Sequence, residues 1–457
     1  MRNFRPIDRQ TNFLLPPSLE DWLPEDHLAR FIVEAVEHLD LNKITRQYAG
    51  RGSAAYHPEM LLALLIYSYA TGVFSSRRIE QATHDSVAFR FVAANTHPDH
   101  DTLATFRRRF INEFADLFAQ ILELAHEMKL LKLGQVSVDG SKIHASASKH
   151  SALSYGHIEQ LEVKFKQEVE QLLALAESAD QSQVPEGMNL PDEIKRRQDR
   201  LISMDAAKAE IERRAQARYD REKAEYDAKM AARAEKEKSS GKKPGGKPPQ
   251  APDPTPRAED QVNLTDSESR VMKCSGGGFE QCYNGQIAVD TDTMLIVAAY
   301  ACNAANDKQQ IEPMLAELNA VPEALGQVKV LLGDTGFYSE RNLDLCEQEG
   351  IDPYLAVGRD PHHPDVFSRF CEPDELPENA TARQKMQHKL KTKAGRAVYA
   401  VRKCTVEPVF GIIKSVLGFR QFSLRGLEKV TGEWRLVCLA WNLKRMAKLQ
   451  ENCVNMG

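Results

Sequence analysis

The chain has 457 residues, of which 42% are hydrophobic and 27% charged, with a formal net charge of −5. This length allows two or three domains, and the composition is ordinary for a soluble protein. No apolar run approaches the roughly 20 residues of a membrane span, and the start lacks the apolar core of a signal peptide. The eight cysteines form no CxxC pair, which argues against a zinc site or a disulfide framework. We therefore expect a cytoplasmic protein without a membrane partner.

Residues 1–130 are predicted to form a helical N-terminal domain. Pro58–Tyr69 is an apolar run with proline in its first turn, and Ser75–Ala82 and Asp101–Phe110 begin two further helices. Short helices with interposed arginines are typical of helix-turn-helix-like DNA readers, with Arg107 and Arg108 as candidate contacts. A small helical bundle with an ordinary polar surface explains the same pattern.

A second domain, residues 131–457, is predicted to hold a mixed sheet interrupted by a helical insertion at 151–258. Gln135–Gly140 reads as a strand that ends with Asp139. His144 follows it, either as a metal ligand or as ordinary polar surface. Within the insertion, Ile158–Glu177 and Asp192–Lys238 have helical spacing, which predicts an antiparallel pair or coiled coil.

The composition of Lys236–Pro256 predicts a flexible linker after the insertion. A hairpin is then expected from Tyr283–Asp290 and Met294–Tyr300, followed by a helix over Lys308–Ala320 that Asp307 caps. The remaining predicted elements are a buried strand at Val328–Leu332 that leads to Asp334, a helix at Ser339–Gln348, a strand at Pro353–Val357, a loop at Pro361–Ala380 and a helical segment from Ala382 to about Gln450.

The last segment, from Thr381 to Gln450, carries 16 lysines and arginines against three glutamates. This local charge fits a phosphate-binding face or a solvated basic surface. One of the glutamates, Glu407, lies in a helix-like stretch. Asp139 and Asp334 both end strands, where open α/β sheets place their chemistry. Two strand-end aspartates and a helical glutamate form the ribonuclease H-like layout and can hold divalent ions for phosphodiester chemistry.

Several short motifs accompany these carboxylates and the start of the chain. They are Val138–Lys142, Tyr283–Gln286, Asn303–Lys308, Gly333–Tyr338, Thr405–Lys414, Leu14–Ser18 and Trp22–His27. Together they resemble the DDE-type bacterial insertion-sequence transposases over nearly the whole chain, most weakly in the insertion.

The resemblance implies a catalytic and metal-binding triad of Asp139, Asp334 and Glu407, which would hold two Mg²⁺ or Mn²⁺ ions. It also implies a Tyr, Arg, Glu and Lys signature, for which Tyr399, Arg402, Glu407 and Lys414 are the candidates. Related proteins often have three residues between the arginine and the glutamate, whereas this sequence has four.

The changed spacing makes Lys403 a rival to Arg402. In a straight helix Lys403 and Lys414 would flank Glu407, and Arg402 would point roughly 140° away to grip DNA further out. A kink at Pro408 would instead swing Arg402 back toward the site. The straight helix is our prediction, and Tyr399, Arg402, Lys403 and Lys414 are all candidate DNA contacts.

The resemblance implies a transposase that binds the terminal inverted repeats of its element, cuts there and joins the ends to target DNA. Its partners would be double-stranded DNA and a second or further copies of the chain. Two alternatives remain open at this point. One is a nuclease of the same fold without strand transfer, and the other is a non-catalytic DNA-binding protein derived from a transposase.

Overall fold

The computed structural model describes residues 18–48, 55–177, 187–241, 245–274, 276–358 and 371–456. The motif residues Leu14–Pro17 and the first part of the predicted 361–380 loop lie outside these ranges. The chain divides into two compact units, one formed by Met1–Ile143 with Tyr283–Gly457 and the other by His144–Cys282. Residues up to 130, expected as a separate domain, thus belong to the same unit as both strand-end aspartates.

The N-terminal part of the first unit is helical, as predicted. Pro58 occupies the first turn of α4, where its missing N–H costs no hydrogen bond, and α4 is buried along almost its whole length. The described helices here are α1 (Leu19–Trp22), α2 (Leu28–Glu37), α3 (Asn42–Thr45), α4 (Pro58–Ala70), α5 (Ser76–Asp85), α6 (Val87–Val92), α7 (His100–Arg109) and α8 (Phe114–Glu127).

The second unit contains the predicted helical insertion. Strand β1 (Gln135–His144) leads into it, and its elements are β2 (Ala152–Ser154), α9 (Tyr155–Glu177), α10 (Leu190–Ser240), β3 (Gln261–Asn263) and β4 (Arg270–Lys273). Ion pairs from Glu162 to Lys208 and from Glu168 to Arg197 show that α9 and α10 run antiparallel, which confirms the predicted pair. Because α10 continues to Ser240, the first residues of the predicted linker are helical.

The helical pair has a small core of its own, made by Ile158, Met204, Ala207, Ile211 and Val262. Its two ends meet at a short antiparallel ladder in which Leu153 pairs with Val262. The Tyr155 N–H also donates to the Asp260 carbonyl at 2.9 Å. The insertion therefore begins and ends at neighbouring points of the backbone.

The remainder of the first unit alternates strands and helices before ending in helices. The elements are β5 (Phe279–Asp290), β6 (Ile296–Cys302), α11 (Ile311–Asn319), β7 (Val330–Gly333), α12 (Glu340–Gln348), β8 (Asp352–Leu355), α13 (Ala382–Lys391), α14 (Lys393–Ala400), α15 (Val406–Gly411) and α16 (Leu427–Met456).

The sheet of the first unit has the strand order β6-β5-β1-β7-β8. The β5–β6 hairpin is antiparallel, and the β1–β7 and β7–β8 pairs are parallel. Strand β5 is buried from Cys282 to Asp290, as expected for a central strand covered on both faces. This mixed sheet confirms the predicted ribonuclease H-like α/β fold. No helix in the described ranges is both long and apolar enough to cross a bilayer.

Helix α16 packs against β6 on one side and against α4 and α8 on another, so it joins the sheet to the N-terminal helices. Trp434 is fully buried and donates its indole N–H to the Gln286 carbonyl at 3.1 Å, while Trp441 donates to the Met294 carbonyl. The prediction that both tryptophans face the core is confirmed.

A buried hydrogen-bond network also links α16 to the N-terminal helices. Glu433 is fully buried and accepts hydrogen bonds from the Tyr69 hydroxyl at 3.2 Å and from the backbone N–H groups of Ser423 and Leu424. The Arg107 guanidinium donates to the same tyrosine at 2.8 Å and to the Phe74 carbonyl. Helices α4, α7 and α16 are thereby linked through groups that cannot exchange their partners for water.

Glu433→Ala is expected to lower the free energy of unfolding by about 3–5 kcal/mol, because it leaves the Tyr69 hydroxyl and the N–H groups of Ser423 and Leu424 without their acceptor. The buried Arg107 charge also loses the carboxylate that balances it. Glu428→Ala is the matched control, since Glu428 is exposed on the same helix and accepts a side-chain hydrogen bond from Asn112. Urea unfolding followed by circular dichroism measures both. Equal losses of stability in the two variants would contradict a stabilising role for the buried hydrogen-bond network.

The insertion is expected to be dispensable for folding of the first unit, because its core residues pack on one another. Replacing residues 157–257 with a short Gly/Ser linker joins two backbone positions that already lie side by side. The shortened protein should lose helical ellipticity but keep one cooperative thermal transition within a few degrees of the full chain's. Loss of that transition would show that the insertion is part of the core of the first unit.

Candidate active site

Asp139 and Asp334 meet because their strands are parallel neighbours. Ser137 of β1 pairs with Leu332 of β7, and continuing this register by two residues sets Asp139 beside Asp334. Each carboxylate is oriented by a nearby backbone group. Asp139 accepts from the Gly140 N–H at 2.8 Å, and Asp334 accepts from the Gly336 N–H at 2.7 Å.

Glu407 reaches the same place from the helical C-terminal part. It lies in the first turn of α15, and its side chain is 52% exposed. Arg402 connects it to the sheet, donating to Glu407 Oε1 at 3.0 Å and to Asp139 Oδ2 at 3.2 Å. The Arg402 side chain is only 9% exposed, so this bridge is held in a fixed position within the fold.

The prediction of a straight helix through this region is wrong. Helix α14 ends at Ala400, a 3₁₀ turn covers Val401–Cys404, and Thr405 has φ −118° and ψ −81°, outside the helical region. Helix α15 then starts afresh with Pro408 in its first turn, where a missing N–H is tolerated. The break rotates Arg402 toward Glu407 and leaves Lys403 exposed.

Lys414 contacts the sheet, and its predicted place beside Glu407 stays a prediction. Its ammonium donates to the Ser141 hydroxyl and to the Lys142 carbonyl, both at 3.0 Å, so it binds β1 beyond Asp139. Residues Ile412–Val416 form a π-helical turn, which changes the register that a straight helix would give. Tyr399 donates its hydroxyl to the Gly333 carbonyl at 3.1 Å and so supports β7 directly before Asp334.

The N-terminal candidates separate into one buried and one exposed arginine. Arg107 is 6% exposed and uses its guanidinium within the fold, which contradicts the expectation that it contacts DNA. Arg108 is exposed and bonds only weakly to its own helix, at 3.3 Å to the Ala104 carbonyl. Its predicted DNA contact stays a prediction.

The Asp139 carboxyl lies in an unusual electrostatic setting. Burial raises its pKa to about 6; the Arg402 guanidinium opposes this shift, and the negative charges of Asp334 and Asp307 add to it. Accumulated negative charge at a partly buried point is what a bound cation relieves.

Asp307 has a different role from the predicted one. Helix α11 begins only at Ile311, with Gln310 at its N-cap, so Asp307 does not cap it. Instead Asp307 Oδ1 accepts from the side-chain amides of Asn284 at 2.8 Å and Gln286 at 2.6 Å. Asn284 and Gln286 are two apart on β5 and therefore share a face. That spacing is the sequence signal for this cluster.

The donor set fits a hard divalent ion, because it consists of carboxylate and amide oxygens. In the described ranges, no three acidic, histidine or cysteine side chains are arranged to hold one ion together. Two carboxylates are enough for Mg²⁺, which usually takes its other ligands from water and substrate phosphates. The residues of this site thus suit divalent ions that are each bound by two carboxylates.

Two family models match the chain. One, described as a Transposase domain (DUF772), matches residues 17–109, and the other, described as a Transposase DDE domain, matches residues 246–443. The second match includes Asp334 and Glu407, while Asp139 precedes it. No curated protein and no solved structure gives a significant match. Two transposase domains in succession, together with a ribonuclease H-like sheet that joins the three carboxylates, identify the chain as a member of the DDE-type insertion-sequence transposases.

Proposed function

We propose that this transposase binds the terminal inverted repeats of its element, cuts the DNA there and joins the exposed ends to target DNA. The observation that carries the proposal is the convergence of Asp139, Asp334 and Glu407, from two adjacent parallel strands and one helix start. Membership in the family implies dependence on a divalent metal, and we propose Mg²⁺, with Mn²⁺ as a substitute.

In the proposed mechanism Asp334 would hold a metal through Oδ2, the oxygen that its backbone contact leaves free. Asp139 would hold it through oxygens that already accept from the Gly140 N–H and from Arg402, because each carboxylate oxygen has a second lone pair. Glu407, more exposed than either, completes the site on the side from which DNA approaches. A bound divalent ion activates water or a 3′ hydroxyl and stabilises the leaving oxygen in an in-line displacement.

Arg402 acts in this proposal as a positioning residue. One guanidinium bonds to both Asp139 and Glu407, so it sets the distance between a strand residue and a helix residue. A planar fork of donors suits this bridging better than a lysine ammonium does. Tyr399 and Lys414 support the two strands on either side through the bonds described above.

DNA affinity is proposed to come from exposed cations. Lys403 and Arg108 are exposed, and many of the basic residues between Thr381 and Gln450 are available to phosphates. Such contacts release counterions, so binding should weaken steeply as salt rises. We also propose that two or more copies act together, since two element ends must be processed at one target.

Replacing Asp139, Asp334 or Glu407 with Ala should lower cleavage of an inverted-repeat duplex about 1,000-fold or more, because lost metal contacts remove several kcal/mol of transition-state stabilisation. Binding of the same duplex should be unchanged or slightly tighter, since a negative charge near phosphates has been removed. Gel-based cleavage and fluorescence anisotropy measure the two effects. Strand transfer from a pre-cut end separates a transposase from a simple nuclease, and wild-type protein that nicks but never joins ends would contradict the proposal.

Arg402→Ala should lower cleavage about 100-fold at saturating DNA, because Asp139 and Glu407 lose the group that holds them together. Lys403→Ala, its neighbour in sequence, is the matched control. It should keep near-normal cleavage at saturation while its binding loses about one unit of the logarithmic salt slope. The reverse result, with only Lys403→Ala defective in cleavage, would restore the straight-helix register.

A further inference from the structure

We propose that Asp307 is a fourth metal-binding carboxylate of this active site and shares a divalent cation with Asp334. The inference rests on the proposed metal-dependent function and adds a ligand outside the three acidic residues of the triad.

Distances from Gly140 and Gly336, the glycines that follow Asp139 and Asp334, show that the carboxylates lie close together. A Cβ atom built on Gly336 would lie 2.9 Å from Asp334 Oδ1 and 3.5 Å from Asp307 Oδ2. Both carboxylates therefore border one small space that Gly336 leaves open. A Cβ atom on Gly140 would lie 2.6 Å from Asp307 Oδ1, so Asp307 also borders the residue that follows Asp139.

Only one oxygen of the Asp307 carboxylate, Oδ1, accepts hydrogen bonds. Both amide N–H₂ groups, from Asn284 and Gln286, donate to Oδ1. Within the described ranges, no group donates a hydrogen bond to Oδ2, and no lysine or arginine forms an ion pair with Asp307 or Asp334. The one arginine that bonds to the triad contacts Asp139 and Glu407. Two facing carboxylates without a basic partner repel each other unless a cation lies between them.

A second, independent observation points to a ligand beside Asp307. Asn284 and Gln286 are fully buried, and their amide oxygens, Oδ1 and Oε1, have no hydrogen-bond partner among the described residues. Asn284 Oδ1 lies 2.9 Å from the position of a Gly140 Cβ, which Asp307 Oδ1 approaches to 2.6 Å, so this unpaired oxygen faces the Asp139 side of Asp307. Buried amide oxygens are costly when unpaired, and water molecules on a bound cation would satisfy them.

Successive side chains of β5 point to opposite faces of the sheet, which explains how the strand places two amides beside Asp307. Asn284 and Gln286 face Asp307, whereas Gly285 faces the opposite side, where a Cβ would come within 3.0 Å of the Trp434 ring. The motif Asn284-Gly285-Gln286 thus combines close packing on one face with two amides that orient Asp307 on the other.

The test measures Mn²⁺ binding without DNA, by isothermal titration calorimetry on the full chain. Asp307→Asn keeps the shape of the side chain and an oxygen for the two amides, and it should weaken Mn²⁺ binding about tenfold or more. Asp344→Asn, on the exposed face of α12, is the matched control and should bind like wild type. Asp334→Asn should lose Mn²⁺ binding as well.

Two further variants separate metal binding from a structural role. Gly336→Ala places a methyl group between Asp334 and Asp307 without changing charge, and it too should weaken Mn²⁺ binding. Asp307→Cys should gain Cd²⁺ affinity relative to Asp344→Cys, because a thiolate at a metal-binding position prefers a soft ion.

Wild-type Mn²⁺ affinity in folded Asp307→Asn, or in Gly336→Ala if the first variant fails to fold, overturns the inference and leaves the proposed function intact. Wild-type protein that binds no Mn²⁺ also overturns the inference, whereas the proposed function fails only if the metal-dependent cleavage and strand-transfer assays fail. A selective loss in the Asp307 and Gly336 variants, with normal binding in the Asp344 control, supports the fourth ligand.

Discussion

The parallel pairing of β1 with β7 is the contact on which the candidate active site depends, since Asp139 and Asp334 are far apart in the sequence and meet only through it. Parallel strands bring their carboxyl ends to the same edge of a sheet, so the two aspartates lie side by side at that edge. The helical insertion lies between them in sequence but returns to the backbone beside its point of departure. Its length therefore does not disturb the register of the two strands.

Glu407 depends on a second constraint, the interruption of the chain between α14 and α15. A continuous helix would separate Arg402 from Glu407 by most of a half-turn. The 3₁₀ turn and the non-helical Thr405 remove that separation, and a single guanidinium then bonds to residues of both the sheet and the helix.

Close packing around the site restricts which residues can stand beside the carboxylates. Gly140 and Gly336 leave room for Asp307, and Gly285 leaves room for Trp434. Trp434 belongs to α16, the helix that also carries the buried Glu433 and packs on the N-terminal helices. The catalytic sheet and the N-terminal helices are consequently parts of one compact unit, and Arg107 is used to stabilise that unit.

By itself the sequence determined the elements and the three carboxylates. Apolar runs and alternation are local properties, so the strands at Asp139 and Asp334, the hairpin and the antiparallel insertion were predictable from short windows. The resemblance to DDE-type transposases rested on motifs of the same local kind. Only the tertiary structure decided which basic residue bonds to Glu407, that Arg107 is buried and that Asp307 joins Asn284 and Gln286. These outcomes depend on backbone breaks and on contacts between residues distant in sequence, where the free energy of packing outweighs local helical preference.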